Sequence, residues 1–381
     1  MSFILKKEDN KTNTFTLLSK NDKKKMEIEE ENEEEDYIKF FRNSIIHKAF
    51  SENYILYKNG TSYINIGEKK LNLPISKTGG IKIVKKIECG ENHMIILFED
   101  GTIYSYGDNT WGQCGIEVTK KKITELIEIN NINIKGQKID NIYCSMNTSF
   151  FLIDHKLYSC GKNELGSLGR PCEIGYDYNI ISIHTSTYGV YDVYTSRDVN
   201  YIFILTWLGG DYFIWGFGDN KKNFIKKNSV LEMIQTPIII SYMEYIIPPK
   251  EIKKIKKIVT FKDCYMIISE LSYRELIIVG LTNHLYNSIS SIYNIKDIAL
   301  NKNYVLFFTV KDDDKLYSYN LLVDKKQPEY MWYKSASSIY EDKKVIALIN
   351  SDFFITYLDE NFVVNSLTIK QNYDLNLLNK K

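Results

Sequence analysis

IKIVKKIECGENHMIILFEDGTIYSYGDNTWGQCGI, residues 81–116, is the stretch whose reading decides the fold. Met94 to Phe98 is a continuous apolar run, the mark of a strand buried on both faces. Asp100-Gly101 follows as a hairpin signal, because a type I′ turn needs the positive φ that glycine adopts without a clash. Ile103 to Tyr106 returns as a second strand, and Gly107, Gly112 and Gly115 break the chain into a loop. Such a hairpin is marginal alone, so similar copies should stand beside it and bury its faces.

Copies recur with decay. DHKLYSCGKNELGSLG (Asp154 to Gly169) aligns without a gap to DGTIYSYGDNTWGQCG (Asp100 to Gly115), after the apolar run Phe150 to Ile153. YILYKNGTSYINIG (Tyr54 to Gly67) is an earlier copy, and WGFGDN (Trp215 to Asn220) parallels YSYGDN after the apolar run Tyr201 to Trp207. Weaker copies pair Tyr265–Ile268 with Leu276–Gly280, Tyr304–Phe308 with Leu316–Asn320, and Phe353–Tyr357 with Phe362–Val364. The pieces Cys89-Gly90-x-x-His93, Asp100-Gly101-x-x-Tyr104 and Gly107-x-Asn109-x-x-Gly112-Gln113-x-Gly115 together resemble one repeat of the regulator-of-chromosome-condensation propeller family. The resemblance covers most of the chain by topology and residues 81–170 by motif. It implies an all-β, closed β-propeller of about seven blades, within the range usual for such rings. Gly90, His93, Gly101, Gly107, Gly112, Gly115, Gly161, Gly166 and Gly169 are then structural repeat positions.

Residues 44–381 are expected to form the propeller. Residues 1–43 form an N-terminal segment whose pieces Phe3–Leu5 and Thr14–Leu18 can pair with the last blade near Phe362–Ile369 and close the circle. Within it, EIEEENEEED (Glu27 to Asp36) is a low-complexity acidic run that repels itself and is expected to stay solvated. The longest connections are Glu117–Lys138 and Lys221–Lys257. Leu231–Ile247 reads as outer-strand material, and KEIKKIKKI (Lys250 to Ile258) fits either an amphipathic turn or an edge strand.

Composition agrees with strands and narrows the function. The 381 residues include 29 Tyr and 18 Phe, suited to a pleated, partly buried surface. With 49 basic and 48 acidic residues the net charge is +1, so no global field draws the chain to nucleic acid. No apolar run is long enough to span a bilayer, and residues 1–25 lack a signal core. These features place the chain in cytoplasm or nucleus, with its 6 cysteines as reduced thiols.

Enzyme signatures are missing. There is no GxxxxGK[ST] cradle, GxSxG elbow or HExxH, and the 5 histidines are scattered. No catalytic, cofactor-binding or metal-binding residue is assigned, and no cofactor is expected. His93 reads as a core imidazole bonded to backbone of a neighbouring turn, since no nucleophile accompanies it. Trp111 reads by default as packing between blades.

The founding member of the resembled family expels nucleotide from a Ran-type small GTPase and docks on chromatin; other members are scaffolds or assembly factors. A basic N-terminal tail like the founder's is missing, and its exchange residues find no match by position. Two functions stay open: a non-catalytic protein-interaction scaffold, or a guanine-nucleotide exchange factor for a Ran-like GTPase. The expected partner is a protein, without nucleic acid or membrane insertion. Candidate partner-binding loops are Asp108–Gly115, Lys162–Gly169 and Asp219–Lys227. Asn109, Trp111, Asn163, Glu164 and Asn220 are their probes, and the polar ones are expected to be replaceable without harm to the fold.

Overall fold

Short apolar runs bounded by glycine, aspartate and asparagine fold into antiparallel hairpins from one end of the chain to the other. In this computed structural model the described residues are 61–173, 175–183, 189–208, 211–226 and 229–240, with strand segments on either side of them. The acidic run Glu27 to Asp36 lies outside the described residues. The sole helix among the described residues is one 3-10 turn, Glu164–Gly166.

The chain divides into two compact units. The larger, Phe50–Ile55 with Gly60–Tyr293, holds three successive four-stranded meanders. The first sheet is Val84–Cys89, His93–Phe98, Ile103–Asp108 and Lys122–Glu128. The second is Asn141–Ser145, Thr148–Ile153, Lys156–Lys162 and Tyr176–Ser182. The third is Val190–Tyr194, Tyr201–Leu208, Asp211–Asp219 and Met233–Ile239. A three-stranded sheet of Ile255–Phe261, Cys264–Ser269 and Leu276–Gly280 follows. This up-and-down, four-stranded unit is the blade of a β-propeller.

In the smaller unit, Ile295–Leu300, Val305–Val310, Leu316–Asn320 and Ser337–Ser338 form one sheet. A five-stranded sheet runs Thr14–Ser19, Phe3–Asp9, Val363–Thr368, Phe354–Asp359, Val345–Asn350. Its first and last chain segments meet directly, Phe3 opposite Val364 and Ile4 opposite Val363. Met233–Ile239 is outer-strand material, and Ile255–Phe261, which begins within the lysine-rich KEIKKIKKI stretch, pairs with Cys264–Ser269.

Stacking explains the unbroken apolar runs. Every residue of His93–Phe98 and of Thr148–Ile153 is buried, because a sheet between two neighbours has no solvent face. Ile95 and Leu97 of the first sheet share a core with Ile142 and Phe151 of the second. Phe150 meets Phe217 of the third sheet edge-on at 6.0 Å, and Phe203 meets Tyr265 of the next at 4.7 Å. Burying each such ring contributes about 1.5–3 kcal/mol.

The hairpin turns correct one expectation. Asp154 and His155 have φ of 46° and 58°, as a type I′ turn demands. In the first sheet only Gly101 is left-handed, at φ 81°. Phe98 N–H bonds to Thr102 O at 2.9 Å, so Glu99, Asp100 and Gly101 form a three-residue loop. The extra residue, Glu99, falls just ahead of the stretch that matches without a gap, so His93 still faces Gly107 as Thr148 faces Gly161.

Candidate functional site

Meander topology sends the loops of each sheet to two ends. One end carries the Gly90–Asn92 turn and the loops that open at Asn109, Asn163 and Asn220. The other carries the hairpin turns at Glu99–Gly101 and Asp154-His155 and the connections between sheets.

The first end is built by one repeated device. The fourth strand of each sheet bulges opposite a glycine of the third, Gly107, Gly161 or Gly218, with φ of 106°, 115° and 102°. A Cβ there would sit 2.3, 2.4 and 2.0 Å from Asn92 O, Asn147 O and Asn200 O, so only glycine fits. The next N–H, of Asp108, Lys162 or Asp219, donates to that same carbonyl at 2.8, 2.9 and 2.9 Å. Sequence reading did not single out Gly218, although WGFGDN carries it.

The following asparagine then ties the loop. Asn109 Oδ1 accepts from Cys114 N at 3.1 Å, Asn163 Oδ1 from Leu168 N at 3.1 Å, and Asn220 Oδ1 from Ile225 N at 3.0 Å. Each bond spans five residues. Asn109 Nδ2 donates to the carbonyls of Ile116, Glu117 and Lys120 at 3.0–3.2 Å, and Asn220 Nδ2 to those of Lys226 and Leu231. The position three residues on is left-handed each time: Gly112 at φ 76°, Gly166 at 81° and Asn223 at 56°. Asparagine tolerates that region, which is why the third loop forms without the glycine. A Cβ on Gly112 would meet Tyr178 Cβ of the second sheet at 2.6 Å, and one on Gly166 would meet Ile234 O of the third at 2.7 Å. The glycines thus seat each loop on the next sheet.

This geometry corrects the choice of probes. Asn109 and Asn220 are fully buried loop ties, so replacing them would not spare the fold. Asn163 is half-buried in the same role. Glu164 stays accessible, paired only with Lys162 at 2.8 Å. Trp111 is half-buried: Lys162 Nζ lies 5.0 Å above its ring, and Tyr176 packs edge-on at 6.0 Å.

His93 crosses from the first sheet to the second. Its Nε2 lies 2.9 Å from Ser149 Oγ, which donates to Gln113 O at 2.7 Å. Because Ser149 gives its proton to Gln113, His93 Nε2 carries a proton and donates to Ser149. The bond reaches backbone through a serine rather than directly, as sequence reading had it. Burial pushes the imidazole down from 6.5 to about 4, against a smaller upward pull from Asp108. A Cβ on Gly90 would overlap His93 Cε1 at 2.1 Å, which assigns that glycine to the same contact.

Gln113, Ser149 and Arg170 escaped sequence reading. Gln113 Nε2 donates to Asp108 Oδ2 at 3.0 Å, and Arg170 Nη2 to Asp177 Oδ2 at 3.2 Å. Burial holds the Cys114 and Cys160 thiols above their usual range, leaving them inert as nucleophiles. Among the described residues, no three His, Cys, Asp or Glu side chains are placed to hold a metal, and no helix is long and apolar enough to cross a membrane.

The regulator of chromosome condensation (RCC1) repeat matches residues 84–113, which are the inner three strands of the first sheet and the opening of its loop. The chain thus carries one stretch that matches this repeat and is similar to proteins that contain it. It is 26% identical over 130 residues to the human RCC1-like G exchanging factor-like protein, across 31% of this chain and 28% of that protein. It is 32% identical over 114 residues to the guanine nucleotide exchange factor SRM1 of Saccharomyces cerevisiae, across 28% of this chain and 22% of SRM1. The aligned stretches thus span well under a third of these relatives. Among solved structures, human WBSCR16 superposes with a TM-score of 0.59 at 12% identity, over 86% of this chain and 88% of that one. Prp20p from Saccharomyces cerevisiae, described with binding properties to Gsp1p and histones, gives 0.54 at 14%, over 90% and 85%. At such identity these superpositions speak for the fold.

Proposed function

We propose that residues 44–381 form a closed propeller of about seven blades that works as a non-catalytic protein-interaction scaffold. One observation carries this reading. The three loops share a buried frame, yet the two residues after each asparagine differ: Thr110-Trp111, Glu164-Leu165 and Lys221-Lys222. A common frame that presents an aromatic, an acid and a base in turn suits recognition of an irregular protein surface. Residues 1–43 precede that ring in sequence, and their Phe3–Asp9 strand supplies its closure beside Val363–Thr368. Cytoplasm or nucleus is the compartment, and the partner is a protein.

Guanine-nucleotide exchange is the second reading, favoured by the aligned stretch shared with SRM1. Purified chain is mixed with a panel of Ran-like GTPases loaded with labelled nucleotide, and native complexes are recovered in parallel. A stable partner without accelerated release supports the scaffold. Accelerated release replaces it with the exchange factor, and neither result would discard both.

A further inference from the structure

Pro74 to Ile83 forms a hairpin that carries the chain into the first sheet, and its two faces are inverted. Ile75 and Ile81 face each other across an antiparallel bridge. Ser76 N donates to Gly80 O at 2.7 Å and Lys82 N to Pro74 O at 3.0 Å, around a turn with Gly79 at φ 87°. Ile81 and Ile83 lie two apart and share a face. Ile75, Ile81 and Ile83 are 69%, 47% and 58% exposed. Lys82, between them, turns inward: its side chain is 10% exposed and its Nζ bonds Asp100 and, at 3.0 Å, Thr102 Oγ1. The same ammonium lies 5.8 Å from the ring centres of both Phe98 and Tyr104. A hairpin that hides its cation and exposes three aliphatic side chains reverses ordinary patterning. Clustered apolar exposure of this kind marks a surface awaiting a partner.

Charge says which partner. Lys77, Lys85 and Lys138 are exposed around the hairpin, against exposed Glu99 and Asp140. Asp140 is already held by the Asp154 N–H at 2.8 Å, and Asp100 by Lys82. We propose that this hairpin docks an aliphatic peptide segment flanked by carboxylates, contributed by a partner protein. A lipid surface fits worse, because none of the exposed large apolar residues around the patch is aromatic. The inference rests on the protein-interaction reading above.

A phage-displayed library of random dodecapeptides is selected on the full chain, on Ile81→Ser/Ile83→Ser, and on Lys77→Glu/Lys85→Glu. Enrichment of aliphatic peptides rich in Asp and Glu is expected, with affinity falling about tenfold on the serine variant. The glutamate variant should lose the acidic preference. Thermal midpoints should match wild type, because the replaced side chains are exposed. Peptides that bind both variants as they bind wild type would overturn this surface and leave the scaffold intact. A pool without acidic bias, or binding to phosphatidylserine vesicles in place of peptide, would also overturn it. If in addition no native protein partner is recovered, the scaffold reading falls with it.

Discussion

His93 offers a sharp test of how the sheets are joined, because its burial has a signed consequence for pH. In the folded chain the neutral imidazole gives its Nε2 proton to Ser149 and titrates at about 4, while in the unfolded chain it titrates near 6.5. Below pH 6.5 the unfolded state therefore binds a proton that the folded state refuses. The stability tied to neutral His93 is fully present above pH 6.5 and is lost progressively as pH falls toward 4. At pH 4.5 the linked loss is about 2–3 kcal/mol, most of what this lowering of the pKa allows. Carboxylates also titrate in this range, so the contrast is made with His93→Gln, whose amide can still donate to Ser149. Urea unfolding at pH 7.5 and 4.5 is measured for both proteins. Wild type should lose about 2–3 kcal/mol more than the variant over that interval. Parallel losses would mean that the imidazole protonates freely in the native state. The buried bridge from His93 through Ser149 to Gln113 would then be wrong.

The remaining predictions concern the loops and turns. Asn220→Ala should cost about 1–3 kcal/mol in urea unfolding, because it strands the buried Ile225 N–H and frees partly buried backbone groups at Lys226 and Leu231. Glu164→Ala should stay within about 0.5 kcal/mol, since only an accessible ion pair is removed. Gly107→Ala should lower the thermal midpoint far more than Gly136→Ala. Both are left-handed, but only the first would drive a Cβ to 2.3 Å from a carbonyl oxygen, while the second meets nothing within 4 Å. Gly101→Val should cost about 1–3 kcal/mol from backbone strain at φ 81°, and unchanged urea midpoints would contradict that φ.

The hairpins were legible because their signals are local. An apolar run, a turn and a returning strand are neighbours in sequence, so Tyr201–Leu208 with Asp211–Asp219 and Cys264–Ser269 with Leu276–Gly280 could be placed from one stretch each. The type of turn was less legible. Asp-Gly suggests a type I′ turn, yet one extra residue, Glu99, converts it to a three-residue loop, while Asp154-His155 adopts the type I′ form without any glycine. What could not be read were contacts whose partners lie a whole repeat away. Nothing in GENH says that His93 reaches Ser149, or that Gly112 must clear Tyr178.

The probes failed for a related reason. A polar residue among glycines reads as surface, and Asn109 and Asn220 sit in just such a setting. The chain folds back over them because a loop at a sheet end must satisfy its own carbonyls, and one amide side chain answers several at once. Asn109 has five loop bonds to make this work, counting its own N–H to Lys121 O at 2.8 Å. The residues free for recognition are therefore those beside the asparagines, Trp111, Glu164 and Lys221, whose exchange leaves the ties in place. Swapping Glu164-Leu165 for Lys-Lys, as the third loop has after its asparagine, should change which partner is recovered without lowering the thermal midpoint by more than a degree or two. A collapse of the fold would show that the frame and the presented residues cannot be separated.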